Sequence, residues 1–309
     1  MKRIIMLFFN TLLILSCYDT KNKLDVRQHD KVNYSTYKTT EYELEQPSIK
    51  SEAVLVLFGG YPEDSEDIRR EFRILEDAKR NKIAVVYSNY NQKLWFTENE
   101  LTNLSNQINE IFDKHKLPND NIHFGGFSSG GLVSLHLGNY LLEKNIHNIV
   151  PKGIFIIDSP IDLAQLYFSS EKNLERNFSE ISVNESSWII NELGHNFGNP
   201  NTDLANYEKH SVFTLSTDNH NNIKNLKDIK IRLYTEPDTI WWKKNRMADY
   251  NQTNAYLIKK LSESLINDGF THVEYIPTKN NGYRANGDRH PHSWSIVEID
   301  CLIQWILKK

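Results

Sequence analysis

From residue 53 onward the chain alternates short, unbroken apolar runs with longer stretches of helical spacing. Residues 53–58, 83–87, 121–127, 153–157, 229–234 and 272–276 read as strands. A continuous apolar run of this length suits a strand buried on both faces, as in a parallel sheet. Between and after these runs, residues 64–80, 97–116, 129–144, 247–268 and 293–307 read as helices. Thr97 and Glu100 carry the spacing of a capping box at the start of one of them. Repeated strand–helix alternation predicts an α/β domain, a mostly parallel sheet flanked by helices.

The rhythm breaks once. About 65 residues, from roughly 160 to 225, separate two strands, far more than an ordinary connection. Helix-like pieces at 163–168 and 185–193 make this segment an inserted lid rather than a loop. Before the rhythm begins, residues 17–50 are polar and charged and read as a tether. Tyr34, Tyr37, Tyr42 and Leu44 suit one or two short edge strands there, ended by Pro47.

Composition narrows the function classes. The chain has 309 residues, 39% hydrophobic, enough for a sizeable core. A net charge of -4 gives no electrostatic reason to expect a nucleic-acid partner. Two cysteines cannot build a disulfide framework or a cysteine-rich zinc site.

The two cysteines have different settings. Residues 1–16 carry a basic start, Lys2 and Arg3, then an apolar run that ends at Leu13-Ile14-Leu15-Ser16 before Cys17. The run is too short for a stable bilayer anchor and fits a secretory signal. Its end resembles a bacterial lipoprotein signal, which implies cleavage before Cys17, lipidation of that residue and a lipid anchor at the cell envelope. Cys301 sits in an apolar, helix-like run and reads as a small buried hydrophobe.

The chemistry points to residue 128. The 121–127 strand runs directly into Gly126-Phe127-Ser128-Ser129-Gly130, the G-x-S-x-G pattern set between a strand and a helix. A sharp strand-to-helix turn strains the serine backbone and lifts its hydroxyl outward. Glycines two residues before and after leave room for that turn. The helix that follows directs its free N–H groups and positive dipole end at the same spot.

With this elbow in place, residues 51–309 resemble the α/β-hydrolase fold, whose order along the chain is nucleophile, acid, histidine. The resemblance implies a serine hydrolase in which Ser128 attacks a carboxylic ester and an acyl-enzyme forms. It implies an acid after a late strand. Thr235-Glu236-Pro237-Asp238 follows the 229–234 strand, and Asp238 fits the usual loop position best. Glu236 is an alternative that instead braces the loop. Asp158, at the end of the 153–157 strand, is a second alternative, since some members of the fold carry their acid there.

The base is expected in the loop after the last strand, where His290 and His292 flank Pro291. His292, directly before the closing helix, is favoured over His290. The His-x-His pair alone, without the spacing of a zinc motif, is a weak metal signal, and no metal or cofactor is expected. The oxyanion hole needs two N–H donors. The resemblance assigns one to Ser129 and the other to the loop after the first core strand, at Gly60 or Tyr61. Trp241, Trp242, Trp294 and Tyr61 are candidates for an aromatic wall beside the site, although core packing explains them equally well. The expected partner is a small-molecule or saccharide ester. A peptidase with the same triad, or a non-catalytic binding lipoprotein on this scaffold, are the competing readings.

Overall fold

The computed structural model describes residues 32–90 and 93–308. The leader and Cys17 lie outside the described residues. In chain order the elements are β1 (Tyr34–Lys38), β2 (Tyr42–Pro47), β3 (Ala53–Phe58), α1 (Ser65–Glu71), α2 (Leu75–Arg80), β4 (Ile83–Ser88), α3 (Glu98–His115), β5 (Ile122–Phe127), α4 (Ser129–Lys144) and β6 (Pro151–Ile157). Then come α5 (Leu163–Arg176), α6 (Glu180–Phe197), α7 (Pro200–Glu208), β7 (Lys230–Thr235), α8 (Thr239–Arg246), α9 (Asn254–Asn267), β8 (Val273–Pro277) and α10 (Ile299–Leu307).

The eight strands form one sheet in the order β1-β2-β4-β3-β5-β6-β7-β8. β1 and β2 pair antiparallel at one edge, and β2 pairs antiparallel with β4. Every other pairing is parallel. The continuous apolar runs follow from burial on both faces. In β3, Val54, Val56 and Phe58 join one core cluster while Ala53, Leu55 and Leu57 join the other. β4 and β6 divide their residues in the same alternating way. All six residues of β3 are fully buried. At about 1.5–3 kcal/mol for each large side chain removed from water, β3 is firmly held at the sheet centre.

The strand order positions the site. From β3 the chain crosses to β4 on one side and then returns to β5 on the other. The loops leaving the carboxyl ends of β3 and β5 therefore part in opposite directions and open a crevice between them.

Two helical stretches are divided where one helix each was expected. Residues 64–80 break at Phe72-Arg73-Ile74 into α1 and α2. Phe72 and Ile74 are both buried, and side chains two apart on a helix point to nearly opposite faces. Leaving the helix lets both enter the core, where Phe72 stacks on Trp294 at 4.8 Å. The expected 247–268 helix starts later, as α9 at Asn254, and an additional helix, α8, capped by Asp238, precedes it and carries Trp241 and Trp242. The closing helix is likewise shorter, with a single 3-10 turn at Trp294–Ile296 before α10. Cys301 is half-buried rather than buried, its thiol facing the Glu298 carboxylate at 3.8 Å.

The long connection between β6 and β7 folds into α5, α6 and α7. Leu163, Leu193, Phe197, Tyr207 and Phe213 from this segment belong to the same core cluster as the sheet residues Val54 and Ile156. At its rim, Trp188 stacks on Tyr61 of the β3 loop, with ring centroids 4.9 Å apart and planes 10° from parallel.

Candidate active site

Ser128 stands at the tip of β5 with φ +52° and ψ -125°, directly before α4. The turn leaves no room for side chains at its flanking glycines. A Cβ on Gly126 would lie 2.0 Å from the Gly130 carbonyl oxygen, and one on Gly130 would lie 2.1 Å from the Phe58 carbonyl oxygen. Both contacts are with backbone, which cannot give way cheaply. Ser128 is partly exposed although its neighbours Phe127 and Ser129 are buried. As the first residue of α4, Ser129 has a backbone N–H with no acceptor inside the helix.

Of the three carboxylates considered as acid, Asp158 is the one that meets His292. Its Oδ2 lies 2.7 Å from His292 Nδ1. An ionised carboxylate only accepts, so Nδ1 carries the proton and Nε2 is left as the basic nitrogen. The second Asp158 oxygen accepts from the Thr235 hydroxyl at 2.9 Å. The Asp158 backbone is held from both sides. Its N–H donates to the Tyr234 carbonyl at 2.9 Å, and its own carbonyl accepts from Asn254 Nδ2 at 2.8 Å. Asp158 has φ +47°, a left-handed conformation that a non-glycine residue adopts at a cost and that surrounding bonds must maintain.

Asp238, the acid favoured from the sequence, is placed elsewhere. Its Oδ1 caps α8 by accepting from the Trp241 N–H at 2.9 Å, and its Oδ2 pairs with Arg289 at 2.7 Å. A short polar side chain opening a helix is an N-cap in the usual sense. Glu236 takes the bracing role. It is buried, its Oε1 binds Arg289, and its Oε2 accepts from the backbone N–H groups of Asn281 and Gly282 and from the Thr278 hydroxyl. Glu236 thus ties β7 to the loop that presents His292.

His290 does not reach Asp158. Its Nδ1 accepts from the His292 backbone N–H at 3.1 Å, and its ring packs 4.6 Å from the Trp241 ring. Burial, with the nearby His292 and two arginines, lowers its pKa to about 3, so it stays neutral. The His292 ring itself rests 4.5 Å from the ring of Phe127, the residue preceding Ser128.

The β3 loop lies against the elbow. A Cβ on Gly60 would come within 3.0 Å of the Ser128 Cβ, so only glycine allows this approach without displacing the serine. The two expected donors of this loop differ. The Gly60 N–H donates to Glu63 Oε2 at 2.8 Å, turned towards its own loop, and the Tyr61 N–H donates to the Ser129 hydroxyl at 3.0 Å. Tyr61 is therefore the loop amide that faces the elbow.

Glu63 has a role not foreseen from the sequence. The oxygen that accepts from Gly60 also accepts from Trp294 Nε1 at 3.0 Å, which joins the β3 loop to the turn just beyond His292. Burial raises its pKa above the ordinary carboxyl value, partly offset by these bonds and by Arg284 and His292. A carboxylate placed four residues after Gly59-Gly60 begins was the visible signal, one that a common loop composition conceals. The aromatic wall is also different from expectation. Trp294 is buried in the core, whereas Trp241 and Trp242 border His290 and Tyr61 pairs with Trp188.

No family model and no curated protein matches the sequence. Solved structures do match its fold. FphF, a fluorophosphonate-binding serine hydrolase of Staphylococcus aureus with substrate bound, is similar with a TM-score of 0.51 and 12% identity, over 90% of this chain and 98% of that one. An esterase from the bacterial hormone-sensitive lipase family gives 0.52 and 15%, over 90% and 84%. Carboxyl esterase 2 from the mycorrhizal fungus Tuber melanosporum gives 0.52 and 12%, over 91% and 87%. At such identities the likeness is one of fold. Together with the mostly parallel eight-stranded sheet and its strand-to-helix elbow, it shows that this chain has the α/β-hydrolase fold.

Proposed function

We propose that the protein is a serine hydrolase of carboxylic esters, with Ser128 as nucleophile, His292 as base and Asp158 as the acid that orients it. The observation that carries this reading is the Asp158–His292 hydrogen bond at 2.7 Å beside the Ser128 elbow. His292 Nε2 takes the Ser128 proton as Oγ adds to the ester carbonyl. The resulting oxyanion is held by the Ser129 N–H, with the Tyr61 N–H as the second donor. The imidazolium then protonates the leaving alcohol as the C–O bond breaks, which leaves an acyl-serine. Water, deprotonated by the same imidazole, releases the acid and restores the Ser128 hydroxyl. Asp158 keeps the proton on Nδ1 throughout and stabilises the imidazolium.

A fluorophosphonate probe tests the reading. Covalent labelling that is lost in Ser128→Ala supports it. Absence of labelling in the folded wild type would favour a non-catalytic binding module. Activity on aminoacyl amides in excess of 4-nitrophenyl and acetylated-sugar esters would instead mark a peptidase.

The proposed setting is the bacterial cell envelope, with lipidated Cys17 as the anchor. The leader pattern of residues 1–16 supports this. Cys17→Ser is expected to move the protein from the membrane to the soluble fraction. A wild type that is already soluble and unlipidated would overturn it. Among the described residues no helix is long and apolar enough to cross a membrane.

A further inference from the structure

The loop that presents His292 also forms one side of an open cleft of about 520 Å³, lined by Arg70, Glu71, Arg73, Arg284, Ala285 and Asn286. Three guanidinium groups and one carboxylate meet there. Glu71 accepts from the Ala285 N–H at 2.9 Å, which fixes the loop against α1, and it also pairs with Arg70 at 3.3 Å. Arg70 has a second partner in Asp67 at 2.7 Å. Arg73 and Arg284 remain, and among the described residues neither has a carboxylate within ion-pair distance.

Arg284 is not a remote surface charge. It is half-buried, with its guanidinium carbon 5.7 Å from the centre of the Phe127 ring, the same ring that packs 4.5 Å from His292. Its positive charge lowers the pKa of both Glu63 and His290, so its field reaches the two loops around Ser128. Two guanidiniums without a direct ion pair, on neighbouring walls of one cleft, are suited to bind a planar carboxylate or a phosphate.

We propose that this cleft is an anion subsite, and that the preferred ester carries a carboxylate or phosphate on an arm that reaches Arg73 and Arg284. The inference rests on the ester-hydrolase reading for its substrate, but anion binding itself does not. Charge-assisted bonds to two arginines correspond to a preference of about tenfold or more in kcat/KM at low salt, which falls as salt rises.

Matched esters test it from either side of the carbonyl. The 4-nitrophenyl monoester of adipic acid is compared with 4-nitrophenyl hexanoate, and 3-acetoxybenzoate with phenyl acetate. In parallel, adipate dianion is titrated while the melting temperature is followed. One charged member should be preferred about tenfold, and the ratio should fall towards one in Arg73→Gln/Arg284→Gln. Adipate should raise the melting temperature of the wild type and not that of the double variant. Turnover of the neutral esters with no charge preference in either pair, and no adipate effect, overturns the subsite. Adipate binding that depends on the arginines, without turnover of any ester, upholds the subsite and overturns the hydrolase reading. Failure of the double variant to fold is covered by Arg284→Lys. It keeps the charge but loses the forked donor, and should retain part of the preference.

Discussion

The Asp158 carboxylate meets the His292 ring at 2.7 Å from a residue whose own backbone is held at φ +47°. The proposed acid therefore follows β6, the strand next to β5, which leads into Ser128. If Asp158 keeps the imidazole in the productive tautomer, Asp158→Asn should lower kcat by about 10³- to 10⁴-fold with the fold intact. Asp238→Ala removes a helix cap and one of the two carboxylates that pair with Arg289, and should lower kcat less than about tenfold, at a stability cost of about 1 kcal/mol. Steady-state kinetics on one activated ester, with circular dichroism for folding, distinguish the two. An Asp238 variant as inactive as the Asp158 variant would reverse the assignment.

Glu236 is expected to matter for a different reason. Its buried carboxylate satisfies two backbone N–H groups of the His292 loop and pairs with Arg289. Glu236→Ala leaves those donors and a largely buried guanidinium short of a partner, which should destabilise the protein by about 3–5 kcal/mol. Glu236→Gln retains an acceptor and should lose less. Urea unfolding of the two variants measures the difference, and equal losses would show that hydrogen bonding at this position is not what stabilises the loop.

Glu63 joins Gly60 to Trp294 through one carboxylate oxygen. Glu63→Ala should cost about 1–3 kcal/mol for each donor left without a partner. Because Gly60 adjoins the proposed oxyanion donor Tyr61, kcat should fall more than KM rises. The pH dependence has a defined sign. Burial raises the folded pKa, so the folded state holds the Glu63 proton more tightly than the unfolded chain. The stability this provides is full below the ordinary value of 4.5 and is lost as pH rises through the folded pKa. Glu63→Gln has no such titration, and its stability relative to wild type should improve over that range. A constant difference between the two across pH 4–8 would contradict this.

Buried histidines are expected to lower stability in acid, His123 and His136 alongside His290. His123 and His136 are fully or nearly buried, and burial lowers their pKa values to about 3 and about 4. Between those values and the ordinary 6.5, the unfolded chain binds protons that the folded state does not. Stability should therefore fall as pH drops below 6.5, by about 1.4 kcal/mol per pH unit for each histidine at full slope. Neither nitrogen of His123 has a hydrogen-bond partner among the described residues, and its ring packs 5.2 Å from Trp305. His123→Phe should remove its share of the slope without loss at neutral pH. An unchanged slope in urea melts from pH 4 to 7 would exclude it as a source.

The sheet was legible because double-sided burial leaves unbroken apolar runs, and the elbow because its glycines are sterically required. α4 was readable at both ends for the same reason, since a strained Ser128 opens it and Asn145 in the left-handed conformation closes it. The acid was harder to read. Asp158, Glu236 and Asp238 all stand just beyond strand ends, and the geometry that separates them depends on bonds to residues at least 40 positions away. Local spacing was ambiguous in another way at α1 and α2, where helical periodicity continued through a break made to bury both Phe72 and Ile74. Glu63 was half legible, since its bond to Gly60 is local but its bond to Trp294 spans most of the chain, and Arg284 carries no local signal, because the Phe127 ring it faces is distant in sequence.

The meeting of His292 with a carboxylate after β6 rather than after β7 has a practical consequence for redesign. The strand that in the first expectation was to supply the acid instead leads into a helix, α8, with no fully buried residue, with Ile240 exposed and the tryptophan pair half-buried beside His290. Residues 239–247 can therefore be randomised or replaced in a library without altering a bond to the His292 ring or the Asp158 carboxylate. For the proposed hydrolase, α8 is thus a place where side chains can be varied apart from Ser128, His292 and Asp158.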